Sequence, residues 1–234
     1  MFLLTDADCI VEKNWIMTIV SNFLNDDQSI NRNIGMVCSY TNIQGKNIFG
    51  KFQDSEWTYM STCACAGIGF NKVIGCFGNN LAISREAYYT VGGYPNIKFS
   101  ITEDYSLLKT VYNAGYKINY LCDKEACVET LPVNNLKEYF RQHKRWALGG
   151  MSLGWVAAAY VFSVCCITAT FLISVLQMNL LLFLIHIFLR ILGDMLVLFP
   201  VYNILEKNYL RKWVIPFIGV FSVVEVLIPF TLLK

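Results

Sequence analysis

Phe2-Leu3-Leu4-Thr5-Asp6-Ala7-Asp8 is the stretch that decides the fold. Three apolar residues followed by an acidic pair read as the end of a buried β-strand that delivers two carboxylates to a sheet edge. In open α/β sheets ligands sit outside the carboxyl ends of the strands, so an acidic pair there is placed for chemistry. Neighbouring strands are expected mostly earlier in sequence, which predicts that this chain is the later part of a larger domain. The leading Met1-Phe2-Leu3-Leu4 run is too short and wrongly flanked for a signal peptide.

Strand and helix signals alternate after that pair. Asn14 is placed to cap a helix in which Trp15, Ile16, Ile19, Val20, Phe23 and Leu24 recur at helical spacing. Residues 34–43 read as one strand and 52–66 as a helix. Gly75, Gly78 and the Asn79-Asn80 pair precede a short helix over 84–91, closed by Gly92-Gly93. Thr102 is expected to cap a helix carrying Tyr105, Leu107, Leu108, Val111 and Tyr112, which puts Asp104 in its first turn. Strands over 117–121 and 126–130 follow, and a helix over 135–148 comes after Pro132. The class is α/β.

Beyond Gly154 the character changes. Residues 155–176, 178–204 and 213–233 are each long and apolar enough to cross roughly 30 Å of hydrocarbon, which predicts three spans. Lys137, Arg141, Lys144 and Arg145 precede the first, and Lys207, Arg211 and Lys212 separate the second from the third. By the positive-inside rule both groups mark the cytoplasmic side, so the acidic motifs face the cytoplasm of a multi-pass cell-membrane protein. His186, Arg190 and Asp194 share one face of the second span and Glu225 lies mid-depth in the third. Their expected role is an Arg190 pair with Asp194 or Glu225 that fixes helix packing; a sharper alternative is a route for a polar acceptor or glycan.

Composition agrees with a membrane class: 55% of residues are hydrophobic and 15% charged, with a mean hydropathy of +0.44. Nine cysteines without a C-x-x-C pair argue against a zinc site or a disulfide framework and for buried free thiols. A net charge of +2 says little about nucleic acid. Apart from one short helix there is no sustained basic stripe with interleaved aromatics of the kind a nucleic-acid groove needs, and no nucleic-acid partner is expected.

Three short signals carry chemistry. Asp6 and Asp8, repeating with the period of two of an extended segment, form a site for Mg2+ or Mn2+ bridging a diphosphate. Asp104 can accept the proton of an attacking hydroxyl, with Glu103 as the competing assignment or a substrate contact beside it; the plainer reading is that both complement a helix dipole. On the 135–150 helix, Leu136, Tyr139, Phe140, His143 and Ala147 form a semi-apolar stripe opposite a crowd of basic residues, as in a helix lying on the inner leaflet. That does not explain why Gln142, Arg145 and Trp146 stand together. Arg145 can bond a diphosphate and Trp146 can stack on a sugar ring.

The order D-x-D, T-E-D, Q-x-x-R-W before membrane helices resembles the family 2 glycosyltransferases, as in cellulose, hyaluronan and poly-N-acetylglucosamine synthases. Gly78-Asn79-Asn80-Leu81-Ala82-Ile83-Ser84-Arg85 and Val91-Gly92-Gly93-Tyr94 match their style. The resemblance covers about residues 1–150. It implies a partial GT-A (Rossmann-like) domain over 1–134 lacking its amino-terminal nucleotide-binding half, an interfacial helix over 135–150 and a membrane region over 151–234. It further implies an inverting transfer from a nucleotide-sugar donor, a UDP-sugar, to a glycan or lipid-linked acceptor. Asp104 is then the base, Asp6 and Asp8 hold the metal, and Gln142, Arg145 and Trp146 serve the diphosphate and acceptor. The rival expectation is a non-catalytic membrane scaffold subunit or an inactive fragment.

Overall fold

A computed structural model describes residues 1–231. Strand β1 (Phe2–Leu4) is followed by β2 (Ile10–Val11), helix α1 (Trp15–Ser21), β3 (Ile34–Ser39), β4 (Thr41–Ile43) and the long α2 (Ile48–Gly69). Next come β5 (Leu81–Ile83), α3 (Arg85–Thr90), the short α4 (Gly93–Asn96), α5 (Glu103–Asn113), β6 (Lys117–Leu121) and β7 (Val128–Thr130). Helices α6 (Leu136–Gly150), α7 (Trp155–Leu176), α8 (Leu180–Ile204) and α9 (Val214–Thr231) complete the order. The chain divides into two units: Met1–Pro132 with Val201–Lys207, and Val133–Pro200 with Asn208–Lys234.

In the first unit a four-stranded sheet has the order β1-β5-β3-β6, and a three-stranded sheet the order β2-β7-β4. Strand β5 is antiparallel to β1 and β3, whereas β3 and β6 run parallel. Among the described residues the neighbour of β1 is β5, later in sequence. Within the described residues β1 stands at the edge of its sheet, and Phe2 is 39% exposed.

The single strand expected over 34–43 is two strands in two sheets. The joint is Tyr40, a buried residue whose carbonyl accepts from the Val128 amide and from Asn80 Nδ2. Those bonds turn the chain from one ladder into the other. Helix α1 buries Trp15 and Ile19, and Phe23 beyond its end joins them, against Val37, Ala82 and Val128, while Ile16 faces out. Each such burial is worth about 1.5–3 kcal/mol.

Cap chemistry corrects two expectations, at Asn14 and Thr102, and supports the one at Gly92. The side chains of Asn14 and Thr102 make no capping bond. Asn14 instead donates to Glu125 Oε2 at 2.9 Å, and Thr102 interacts with Ser100. Ser84 does cap α3, accepting from the Ala87 amide at 3.0 Å, and Gly92 ends it at φ 76°, a conformation glycine adopts without strain. Helix α2 starts earlier than expected because Asn47 caps it through the Gly50 amide. It buries Gln53, Asp54, Ser55, Glu56, Thr58 and Ser61, and Lys207 supplies the cation for Asp54.

In the second unit α7 buries only Ser174 of its 22 residues. Helices α7 and α8 are long and apolar enough to cross a membrane. The third expected span corresponds to α9, and its last residues, 232–233, lie outside the described residues. Arg190 joins both proposed partners: Nε lies 3.3 Å from Asp194 Oδ2, and the two terminal nitrogens lie 3.1 and 3.2 Å from the Glu225 carboxylate.

Candidate active site

Asp6 and Asp8 do not sit on an extended segment. They occupy a turn closed by the Cys9 amide donating to the Asp6 carbonyl at 3.1 Å. This turn, rather than a strand pleat, gathers the two exposed carboxylates and the half-buried Cys9 thiol, whose ligand atoms all lie within 4.8 Å of one another. The two exposed carboxylates leave coordination positions for phosphate oxygens and fit a hard divalent cation, for which the Cys9 thiol is too soft a ligand.

Asp104 stands in the first turn of α5, as expected, and both of its oxygens are engaged. Oδ1 accepts from the Tyr105 amide at 2.7 Å and Oδ2 from the Gly78 amide at 2.9 Å. Burial, with the charge of neighbouring Glu103, raises its pKa above the ordinary 3.8, and the two backbone N–H groups partly offset the rise. Each oxygen keeps a second lone pair for a proton. A side chain at position 78 would bring its Cβ within 3.3 Å of Asp104 Cβ, which accounts for the glycine. Glu103, by contrast, is exposed.

Two adjoining asparagines tie these parts together. Asn79 Oδ1 accepts from Thr41 Oγ1 at 2.8 Å and its Nδ2 faces Cys9 Sγ at 3.6 Å. Asn80, fully buried, donates to the carbonyls of Tyr40 and Ala126 and accepts from Trp15 Nε1. The turn leading in is braced by Phe77 stacked on Trp57, ring centroids 4.4 Å apart. Adjacent residues thus contact the two parts: the Gly78 amide bonds Asp104, and the Asn79 side chain meets Cys9 at the end of the Asp6–Cys9 turn.

Residues 1–226 match the family described as glycosyl transferase family group 2. The chain belongs to that family. No curated protein matches it. Membership in family group 2 supports glycosyl transfer from a nucleotide-sugar donor to a glycan acceptor.

The remaining expected residues of this family group 2 member lie on α6 of the second unit. Asn135 caps that helix through the Glu138 amide at 3.0 Å. His143 is buried, its Nδ1 2.9 Å from the Tyr139 carbonyl and its ring 3.9 Å from the Tyr139 ring. Trp146 rests on His143 at 4.8 Å, half-buried, beside an exposed Arg145 and a half-buried Gln142. Leu136, expected in the apolar stripe, is 62% exposed.

Sequence reading missed Cys9 and gave Gly78, Asn79 and Asn80 no task. The signal was present: two adjacent asparagines after a glycine, ahead of an apolar strand, must satisfy several buried polar groups. It also missed the Asp54–Lys207 pair, because helical periodicity marks apolar faces and this face of α2 is polar.

Proposed function

We propose that this chain is an inverting glycosyltransferase anchored in the cell membrane. It moves a hexose or N-acetylhexosamine from a UDP-sugar to a hydroxyl of a lipid-linked or polysaccharide acceptor on the cytoplasmic side. One observation carries the reading: the Gly78 amide pins Asp104, and the next residue, Asn79, donates to the sulfur of Cys9, which closes the turn of Asp6 and Asp8. A proton acceptor and a cation-holding pair in one neighbourhood are what a single displacement from a diphosphate donor requires.

In the reaction the acceptor hydroxyl oxygen attacks the anomeric carbon while the bond from that carbon to the diphosphate oxygen breaks. The hydroxyl proton passes to the Asp104 carboxylate, and the nucleoside diphosphate leaves with the bonding electron pair. Attack opposite the leaving group inverts the anomeric centre. Asp104 is favoured over Glu103 because two backbone N–H groups orient it before substrate arrives. A divalent cation, Mg2+ or Mn2+, held by Asp6 and Asp8 supplies charge neutralisation at the diphosphate when bound. Arg145 and Gln142 serve the diphosphate and Trp146 the acceptor ring, roles that rest on the Q-x-x-R-W resemblance. Two membrane-length helices, α7 and α8, and the basic residues before α7 and around Arg211 support the membrane placement, in which α9 would be a third span.

The test is to incubate membranes containing the chain with a panel of radiolabelled nucleotide-sugars, with and without manganese. Label is expected in lipid-linked or polymeric product from one UDP-sugar, and only with the cation. Transfer from none of the donors would overturn the proposal.

A further inference from the structure

We propose that Asn79 is a positioning residue for the cation site, acting through Cys9, and that the Gly78-Asn79-Asn80 turn is the gauge that spaces the cation carboxylates from the base. The inference rests on the reading of Asp6 and Asp8 as cation ligands and of Asp104 as base.

The argument begins at Asn80, which is fully buried and cannot move independently of the fold. Its amide nitrogen bonds the Tyr40 carbonyl at 2.7 Å and the Ala126 carbonyl at 2.9 Å, and its oxygen receives Trp15 Nε1 at 3.0 Å. Tyr40 is the joint between the two sheets, so Asn80 is clamped where the sheets part. Asn79, 7% exposed, inherits that immobility. The Asn79 amide then bridges two partners: its oxygen accepts from the Thr41 hydroxyl at 2.8 Å, and its nitrogen donates to the Cys9 sulfur at 3.6 Å. Cys9 is the residue whose amide closes the turn bearing Asp6 and Asp8. Holding its side chain holds the turn.

On the other side the Gly78 amide holds Asp104. Two adjoining residues thus grip the two halves of the chemistry separately, and their effects separate. Loosening Asn79 frees the carboxylate turn and weakens cation and donor binding with little change in kcat. Crowding position 78 displaces the base and lowers kcat with little change in cation affinity.

The experiment measures Mn2+ binding to the detergent-solubilised full chain by loss of the free-ion electron paramagnetic resonance signal, alongside KM and kcat. Asn79→Leu and Cys9→Ala are each expected to weaken Mn2+ binding about three- to tenfold, the range for one hydrogen bond. The double variant is expected to lose no more than either single one, since both remove the same contact. Cys9→Ser, which keeps an acceptor for the amide, is expected near wild-type affinity. Gly78→Ala is expected to bind Mn2+ normally and turn over slowly.

A residue that only packs would lower Tm in Asn79→Leu and leave Mn2+ affinity and the KM-to-kcat balance alone, which would overturn the inference. So would multiplicative losses in the double variant. If Asn79→Leu does not fold, Cys9→Ala, on a half-buried turn, carries the same expectation and the same refutation. Absence of Mn2+ binding by the unmodified protein would overturn the cation reading and this inference together; normal binding that ignores Asn79 and Cys9 would overturn only the inference.

Discussion

Lys207 Nζ lies 2.6 Å from Asp54 Oδ1, and the two side chains are only 4% and 1% exposed. Asp54 Oδ1 also receives the Ile43 amide, and the ammonium also donates to Thr58 Oγ1. Breaking such a pair strands a charge in the interior, at a cost of about 3–5 kcal/mol. Lys207→Met is therefore expected to lower stability by about that amount, and Asp54→Leu combined with Lys207→Met by less than the two single losses added. Denaturant unfolding of the four forms measures both quantities.

Asp104→Asn is expected to lower turnover by about two to four powers of ten, with donor binding retained. Because both oxygens accept backbone N–H groups, the asparagine amide also turns one donor against another. Asp104→Ala separates the contributions: it removes the base without that clash, and its turnover should fall into the same range. Turnover unchanged in both variants would remove Asp104 from the role.

The pH dependence follows from the raised pKa of Asp104. A base works in its ionised form, which is lost as pH falls through the raised value, so the acid limb of kcat/KM is expected above pH 3.8, the ordinary carboxyl value. A limb at or below 3.8 would show that the ionisation of another group sets the rate.

Asp8→Ala is expected to weaken cation-dependent donor binding by at least about tenfold, losing one of two charged ligands. Full activity of the unmodified chain in excess chelator would count against the cation. Replacing Cys9 by Ser should not mimic the Asp8 change.

Arg190→Leu leaves Asp194 and Glu225 facing each other without their shared cation. Breaking the arrangement from one side should loosen the packing of α8 and α9 and lower thermal stability in detergent, whereas Arg190→Lys should recover part of it. Equal Tm in all forms would show that the triad does not hold these helices.

The apolar signals were read at full length. Residues 155–176 form α7 with those bounds, and Trp15, Ile19 and Phe23 pack on the sheet as their spacing requires. What escaped was polar and non-local. Whether Asn14 or Asn47 caps a helix depends on a competing partner, and Glu125, distant in sequence, takes Asn14. The D-x-D pair was legible as a pair, but that a turn rather than a pleat joins it depends on Cys9, which carries no motif. Lys207, counted by sequence among the charges flanking a membrane span, is instead consumed inside the first unit.

That last residue bears on how the protein is made. The first unit includes Val201–Lys207, where Tyr202 meets Ser55 at 2.6 Å and Lys207 meets Asp54. Synthesis runs from the amino terminus, and upstream domains ordinarily fold before later segments emerge. Here the first unit must wait on the ribosome until α7 and all of α8 have been translated, with Asp54 lacking its counter-ion meanwhile. A polypeptide cut after residue 150 would lack the segment that completes the unit, so the closing of the first unit is tied to the synthesis of the two long apolar helices that precede that segment.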